Sequence, residues 1–155
     1  MASHKTILLT KYTSKRVQRN ANTGTILPGH LVELMSTDKF KLHATAGGEV
    51  VPKIVVVEDD IQGNDITDYY TSGDPIQAEV VDAGDVVLLR LKNGENVAIG
   101  DKLESAGDGT VQKWVKDSGS VTEVSEQIVA IALEAMDMSG SSGVDPNGIL
   151  KSMIV

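Results

Sequence analysis

Residues 75–114 read PIQAEVVDAGDVVLLRLKNGENVAIGDKLESAGDGTVQKW, and this stretch decides the fold. It contains a Gly-Asp turn twice, at Gly84-Asp85 and at Gly100-Asp101, and each turn passes directly into an extended apolar run. Between them lies Asn93-Gly94, a pair that readily adopts the positive φ angles of a hairpin turn. Another reversal at 106–109 precedes the last apolar residues. Short strands joined by tight turns predict a small antiparallel sheet that curls on itself.

The composition is typical of one globular domain with an aliphatic β core. Aromatic residues make up only 3% of the 155 residues, so valine, isoleucine, leucine and alanine must fill the core, and the β-branched ones favour strands. The chain has no cysteine, which excludes disulfides and thiolate metal sites. The apolar patch Ile7-Leu8-Leu9 is too short for a signal peptide or a membrane span. We therefore expect a soluble protein that is made in the cytoplasm.

Positive charge is concentrated at the N-terminus. The residues before Glu33 include five basic and no acidic side chains, whereas the remaining 9 basic and 22 acidic residues leave a net charge of −13. Residues 1–27 also lack a core-forming pattern, and we expect an extended basic arm that docks on another molecule. A β-rich body would follow over 28–138, and a Ser/Gly connector with a C-terminal strand over 139–155. The alternative is that the arm folds back as an edge strand of its own sheet.

Three further segments bear on the architecture. Val55 to Val57 read as a strand that is buried on both faces. Residues 121–137 fit either a strand or a helix, and we favour a strand because the neighbouring strands need a partner. The segment 149–155 is apolar to the last residue, so it must pair with its own sheet or with a neighbouring subunit.

No motif in the sequence predicts catalysis, a cofactor or a metal. There is no Gly-x-Ser-x-Gly motif, and Gly107-Asp108-Gly109-Thr110 has no lysine at the spacing of a phosphate-binding loop. His30 and His43 flank a predicted hairpin without a nearby third ligand, which does not predict a metal site. The acidic segment 58–68 has the oxygen ligands of a calcium loop but not their order, and we interpret it as a solvated loop at the rim of the molecule.

A set of turns and strands carries a resemblance to one protein family. Its residues are Gly73-Asp74-Pro75, Ala83-Gly84-Asp85-Val86-Val87, Asn93-Gly94, Ile99-Gly100-Asp101-Lys102-Leu103, Gly109-Thr110-Val111 and Ile131-Ala132-Leu133-Glu134-Ala135. Over residues 28–137 the chain resembles the capsid decoration proteins of tailed phages, which are also called head-stabilising or cement proteins. The resemblance implies a mainly β protein, with a small β-barrel or β-tulip-like domain and an extended N-terminal arm. Such a protein would lie on the outer surface of the expanded capsid.

The same resemblance implies the partners, which are the major capsid protein and further copies of this chain, often as a homotrimer. Neither nucleic acid nor a membrane is implied. The arm would add a strand to a capsid sheet and clamp neighbouring subunits against internal DNA pressure. The residues expected in this capsid-binding arm are Lys5, Thr6, Ile7, Leu8, Leu9, Lys11, Tyr12, Lys15, Arg16 and Arg19. The candidates for an oligomer interface are Tyr69, Tyr70, Trp114, Ile149, Leu150 and Met153.

Two alternatives stay open. The first is another virion surface module, such as the base of a head fibre or an adhesin-like β domain. The second is a metal-dependent hydrolase that uses the acidic segment 58–68. Tight binding of calcium or manganese would favour the hydrolase.

Overall fold

A computed structural model describes residues 6–10, 14–116 and 127–155, and in these residues the chain forms thirteen β-strands and no α-helix. The strands are β1 (Leu8–Thr10), β2 (Arg16–Ala21), β3 (Leu31–Leu34), β4 (Lys39–Leu42), β5 (Ile54–Val56), β6 (Pro75–Val80), β7 (Val86–Leu91), β8 (Asn96–Val97), β9 (Lys102–Ser105), β10 (Val111–Lys113), β11 (Ile128–Ala132), β12 (Met136–Asp137) and β13 (Gly148–Ile154). The prediction of a mainly β, barrel-like fold is confirmed. The chain builds two closed five-stranded barrels, however, where one barrel was expected.

The first barrel contains strands β2 to β6 in the order β2-β4-β3-β5-β6. Strand β2 pairs along its length with β6, whereas it meets β4 in parallel only at Asn20 and Ala21. The interior is filled by buried apolar side chains, which include Ile26, Val32, Phe40, Ile54, Val56, Tyr70 and Ile76. The barrel wall is therefore continuous between β2 and β6, whereas β2 and β4 are joined only at the C-terminal end of β2.

The second barrel is formed by β7, β10, β9, β11 and β13, and β12 pairs with β8 in a separate ribbon. Strand β13 closes this barrel because it is antiparallel to β7 from Gly148 to Met153 and also pairs with β11. The C-terminal segment thus pairs with its own sheet, which is one of the two outcomes expected for it. Residues 128–132 form a strand, as predicted, and residues 117–126 lie outside the described residues.

Three strands begin after the same kind of turn. The glycines of these turns, Gly73, Gly84 and Gly100, have φ angles of +90°, +94° and +90°. The aspartate after each glycine accepts a hydrogen bond from the backbone N–H three residues earlier, at 3.2 Å for Thr71 to Asp74, 2.9 Å for Asp82 to Asp85 and 2.8 Å for Ala98 to Asp101. Glycine is needed because other residues rarely adopt this conformation. The Gly-Asp pair is thus a strand-starting turn for β6, β7 and β9.

The two barrels share a hydrophobic core at their junction. Leu31 of β3 and Val55 of β5 point away from the interior of the first barrel and are buried with Leu88 and Leu89 of the second. Backbone hydrogen bonds cross the same junction, from the Leu31 N–H to the Gly109 carbonyl at 2.7 Å and from the Arg90 N–H to the Gly29 carbonyl at 3.1 Å. Strand β5 is buried on both faces, as predicted, because one face lines a barrel and the other packs on the second barrel.

The described part of the expected arm belongs to the two barrels, so the expectation of a free arm is wrong for these residues. Strand β1 pairs with β7, and β2 is a wall of the first barrel. Ile7 and Ala21 are buried, and the side chains of β2 alternate between exposed and covered positions, as in a half-buried strand. The alternative of an edge strand on its own sheet describes β1. The expected boundaries at 27 and 139 do not separate the barrels, because the chain passes from one barrel to the other between β6 and β7.

Candidate docking surfaces

The basic residues expected to bind the capsid have acidic partners on their own chain. Lys15 forms an ion pair with Asp82, and Arg19 Nε lies 2.5 Å from Asp38 Oδ1. These acidic side chains come from segments that are distant in the sequence and that fold against β2. The positive N-terminal segment therefore has a structural role, because it neutralises part of the acidic body. Lys5, Lys11 and Tyr12 lie outside the described residues.

Glu79 is the main anchor of this charged contact. Its carboxylate is 1% exposed and accepts hydrogen bonds from Ser14 Oγ at 2.7 Å, from the Lys15 N–H at 2.8 Å and from Arg16 Nε at 3.4 Å. A buried carboxylate is stable only when its oxygens are paired in this way. Lys15 and Arg16 therefore anchor the start of β2 on Glu79, and Arg19 adds an exposed ion pair with Asp38. The structure gives them partners within the chain, which contradicts their assignment to a free capsid-binding arm.

Two of the six candidates for an oligomer interface are core residues, and that assignment is wrong for them. Tyr70 is buried, its hydroxyl donates to the Val57 carbonyl at 2.7 Å, and burial raises the pKa of this phenol to about 12. Leu150 is fully buried inside the second barrel. Leu150 faces the interior of the second barrel from β13, and Tyr70 packs into the core of the first barrel from the segment between β5 and β6, so neither can contact a neighbouring copy.

The other four candidates remain at the surface to different degrees. Ile149, Met153 and Trp114 are partly covered, and Lys102 Nζ lies 5.2 Å from the centre of the Trp114 ring. Tyr69 is 59% exposed. No sequence motif indicates the surface described next.

The first barrel opens into a cavity of about 470 Å³, which we call the mouth of the first barrel. Val17, Val32, Leu34, Phe40, Val51, Pro52 and Ile54 supply its apolar lining, and Arg19, Glu33, His43 and Glu49 supply its polar lining. The opening lies beside Val17 and Arg19, where β2 has no pairing with β4. Leu34 is 55% exposed and Val51 is 71% exposed. Concave apolar surfaces at barrel mouths are common binding sites.

The charges at this mouth are not fully compensated. Arg19 is paired with Asp38, and Glu33 Oε1 lies 2.6 Å from Lys41 Nζ. Glu49 is exposed and forms no ion pair with any residue that the structure describes. One carboxylate at the rim is therefore available to a cationic group on an incoming molecule.

A serine, a histidine and a glutamate meet beside the mouth, but they do not form a catalytic triad. His43 Nδ1 lies 2.7 Å from Ser105 Oγ, and His43 Nε2 lies 3.1 Å from the Glu49 carbonyl and 3.7 Å from Glu33 Oε2. Ser105 is 0% exposed, so no substrate can reach its hydroxyl. The array joins β9 of the second barrel to the β4–β5 loop of the first, which is a structural role.

In the acidic segment 58–68, Glu58 Oε2 accepts a hydrogen bond from the Ile7 N–H at 3.0 Å, and two aspartates are used in a local turn. Asp65 Oδ1 accepts from the Thr67 N–H at 2.7 Å, and Asp68 Oδ2 accepts from the Asp65 N–H at 2.8 Å. In residues 6–10, 14–116 and 127–155, no group of three or more His, Cys, Asp or Glu side chains is placed to hold a metal ion. The same residues contain no helix long and apolar enough to cross a membrane.

The architecture is that of a double β-barrel whose barrels share one junction. Neither a family model nor a curated sequence matches the chain. Among solved structures, the chain is similar to the head fibre gp8.5 N base of bacteriophage phi29, with a TM-score of 0.55 and 12% sequence identity. The similarity covers 92% of this chain and 95% of that chain. At this identity the two proteins share a fold, and they share it over nearly their whole length.

Proposed function

We propose that this chain is a structural protein of a phage virion, located on the outer surface of the head and bound to the major capsid protein. The observation that carries the proposal is the shared fold with the base of a phage head fibre over 92% of the chain. The resemblance of its Gly-Asp turns to those of capsid decoration proteins supports the same location. From these two observations we propose a protein of the phage head that has no enzymatic activity.

The contact with the capsid is made by the mouth of the first barrel. The expected occupant is a segment of the capsid protein that inserts an apolar side chain between Leu34 and Val51. A lysine or arginine next to that side chain would pair with Glu49, which lines the mouth and forms no ion pair with the residues that the structure describes. Burial of such an anchor side chain contributes about 1.5–3 kcal/mol. This contact replaces the added arm strand, because β1 is already paired with β7.

The role in the virion is mechanical. A module that contacts more than one capsid subunit raises the free energy needed to separate them, and it does so without a reaction step. Three copies in a closed ring would bind far more tightly than one through avidity. We therefore retain the homotrimer as part of the proposal, and sedimentation equilibrium of the purified chain measures it directly.

A head-fibre base is the second candidate function, and the fold similarity to such a base favours it specifically. In that role the module attaches to the head and carries a projecting fibre. Electron cryomicroscopy of heads with this protein bound separates the two roles. A compact knob repeated over the lattice indicates decoration, whereas density that projects away from the knob indicates a fibre base.

The test is co-sedimentation of the purified chain with expanded and unexpanded heads of its own phage. We expect saturable binding to expanded heads and a loss of at least about tenfold in affinity for Leu34→Asp and Val51→Asp, since each places a charge in the apolar contact. Ile61→Asp is the matched control, because Ile61 is 82% exposed on the segment 58–68, away from the mouth. An absence of binding to both kinds of head contradicts the proposal.

A further inference from the structure

Arg90 is a charged residue in the middle of an apolar strand. It lies in β7, it is 4% exposed, and its neighbours Leu89 and Leu91 are fully buried. Its side chain crosses the junction, where Nε donates to the Pro28 carbonyl at 2.8 Å and Nη2 donates to the Ile66 carbonyl. Arg90 thus ties two loops of the first barrel to the second barrel.

The guanidinium of Arg90 has no counter-charge in contact with it. Both of its side-chain acceptors are neutral carbonyl groups, and no carboxylate of the described residues forms an ion pair with it. Nη1 has no hydrogen-bond partner among these residues. A buried cation is costly unless an anion compensates it. The buried atoms that lack a partner in these residues are His30 Nε2 and Asn93 Oδ1, so Arg90 Nη1 is accessible to solvent. Arg90 is therefore a largely buried cation that no carboxylate of the described residues neutralises.

Arg90 lines a cavity of about 620 Å³, which we call the junction cavity. Lys92 lines it as well, and among the described residues the partner of Lys92 Nζ is Gln112 Oε1, 3.5 Å away. The far wall is the loop 141–147, which Asn93 fixes by donating from Nδ2 to the Ser142 carbonyl and, at 2.8 Å, to the Asp145 carbonyl. Thr67 and Tyr69 add hydroxyl groups to the lining.

Two carboxylates also line the junction cavity, and both are used in turns. Asp108 Oδ1 accepts from the N–H and the hydroxyl of Thr110, and Asp145 Oδ2 accepts from the Ser142 N–H at 2.7 Å. Neither carboxylate forms an ion pair with Arg90 or Lys92. Their charge disfavours a doubly charged ligand more than a singly charged one, because Coulomb repulsion grows with the charge of the ligand.

We propose that the junction cavity binds a carboxylate group, which Arg90 Nη1 and Lys92 Nζ hold between them. Two N–H donors on one carboxylate form the charge-assisted contact that guanidinium and ammonium groups favour. The carboxylate is either that of a small free acid or that of an acidic residue on a bound protein. The site is separate from the mouth of the first barrel and does not depend on the proposed function.

His30 reports on the occupancy of this site. Burial first and the positive charge of Arg90 second lower the pKa of His30 to about 4, and Asp108 opposes the shift. An anion bound to Arg90 cancels part of that positive charge. Carboxylate binding should therefore raise the pKa of His30, an effect that binding elsewhere on the surface would not produce.

The experiment is an NMR titration of the full chain with sodium acetate, and acetamide serves as the neutral control. We expect saturable shifts of the Arg90 and Asn93 signals with acetate alone and an upward shift of the His30 pKa. Lys92→Gln should weaken acetate binding by about tenfold. Lys151→Gln should leave it unchanged, since Lys151 is exposed on β13. Arg90→Lys keeps the positive charge on a single nitrogen, and Lys92→Gln remains the deciding variant if loss of the guanidinium prevents folding.

The remaining outcomes either identify the source of the carboxylate or contradict the proposal. Tighter binding of a short peptide that contains one aspartate assigns the site to a protein carboxylate, and equal affinity assigns it to a small acid. Similar shifts with acetate and acetamide, stronger binding of inorganic phosphate, or an unchanged His30 pKa at saturation would each overturn it. None of these measurements uses phage heads, so failure here is distinct from failure of the proposed function.

Discussion

The two barrels have the same number of strands but differ in how they close. In the second barrel, β13 follows β7 without interruption from Gly148 to Met153, and the interior is fully covered. In the first barrel, β2 meets β4 at only two positions, and the wall beside them opens into the mouth. The second barrel has a closed core, and the first barrel packs against it. The first barrel presents the apolar surface that a partner can occupy.

This difference indicates that the second barrel contributes mainly to stability and that the first barrel carries the surface suited to binding. Strand β7 is apolar almost throughout because it faces a barrel interior on one side and the junction on the other. Strand β2 alternates because one of its faces is in solvent. Exposed apolar side chains such as Leu34 and Val51 lower solubility, and their place at a concave opening is the pattern expected of a binding surface.

The largest contrast is expected from removing the same side chain in each barrel. Leu150→Ala should lower the free energy of unfolding by about 3–4 kcal/mol, because it leaves a cavity in a fully covered core. Leu42→Ala should cost only about 1 kcal/mol, since Leu42 is only partly buried against the core of the first barrel. Urea denaturation of both variants measures the difference. Equal costs would mean that the two barrels are packed equally well.

The second prediction tests the junction through pH. The pKa of His30 falls from 6.5 to about 4 because of burial first and the charge of Arg90 second. Below pH 6.5 the unfolded chain binds a proton that the folded chain does not, so stability falls as the pH drops towards 4. The loss from this one group is about 3 kcal/mol.

His30→Asn isolates this contribution, because the asparagine oxygen can replace Nδ1 as acceptor of the Leu27 N–H. The variant and the native chain should differ in their pH dependence between pH 6.5 and 4, as measured by urea denaturation at each pH. Carboxylates titrate in both proteins and cancel in the comparison. Parallel curves would show that His30 is protonated in the folded chain and that the junction is hydrated.

The third prediction compares two glycines with positive φ angles. Gly84→Ala should cost about 1 kcal/mol, which is the strain of the backbone alone, because no atom lies within 4 Å of the added Cβ. Gly107→Ala should cost about 2 kcal/mol or more, since its Cβ would lie 2.7 Å from the backbone nitrogen of Ala46 in the first barrel. Thermal unfolding measures both. Equal values would mean that the barrels separate slightly at little cost.

The local features of the fold could be predicted from sequence, and the long-range ones could not. Gly84-Asp85 and Gly100-Asp101 identify turns because the aspartate and the glycine act within four residues. Closure of the second barrel depends on β13 meeting β7 some sixty residues earlier, and no local signal encodes that pairing. Whether β2 is a free arm or a barrel wall depends mainly on Glu79, which lies more than sixty residues later in the chain.

A usable signal for these contacts was present in the sequence. Glu79 and Arg90 are each the one charged residue of an otherwise uncharged strand. A charge in a buried strand requires a partner on the chain or on a ligand. Glu79 receives its partners from Arg16 of β2 and from Ser14 and Lys15 just before it, whereas Arg90 has no carboxylate partner among the described residues. The lone charge in β6 therefore indicates that another segment of the chain packs on this strand, as β2 does.

The smallest effect is expected at the exposed ion pairs of β2. This measurement tests whether β2 could still detach and act as an arm. Asp38→Asn removes the partner of Arg19 where both side chains are largely in solvent, so the cost should be at most about 1 kcal/mol and should vanish in high salt. Hydrogen exchange of the β2 amides should stay as slow as in the native chain, because the ladder with β6 holds the strand. Fast exchange confined to β2 in the variant would mean that surface charge holds the strand in place. The strand could then detach and reach a neighbouring capsid subunit, and the arm mechanism would again compete with binding at the mouth.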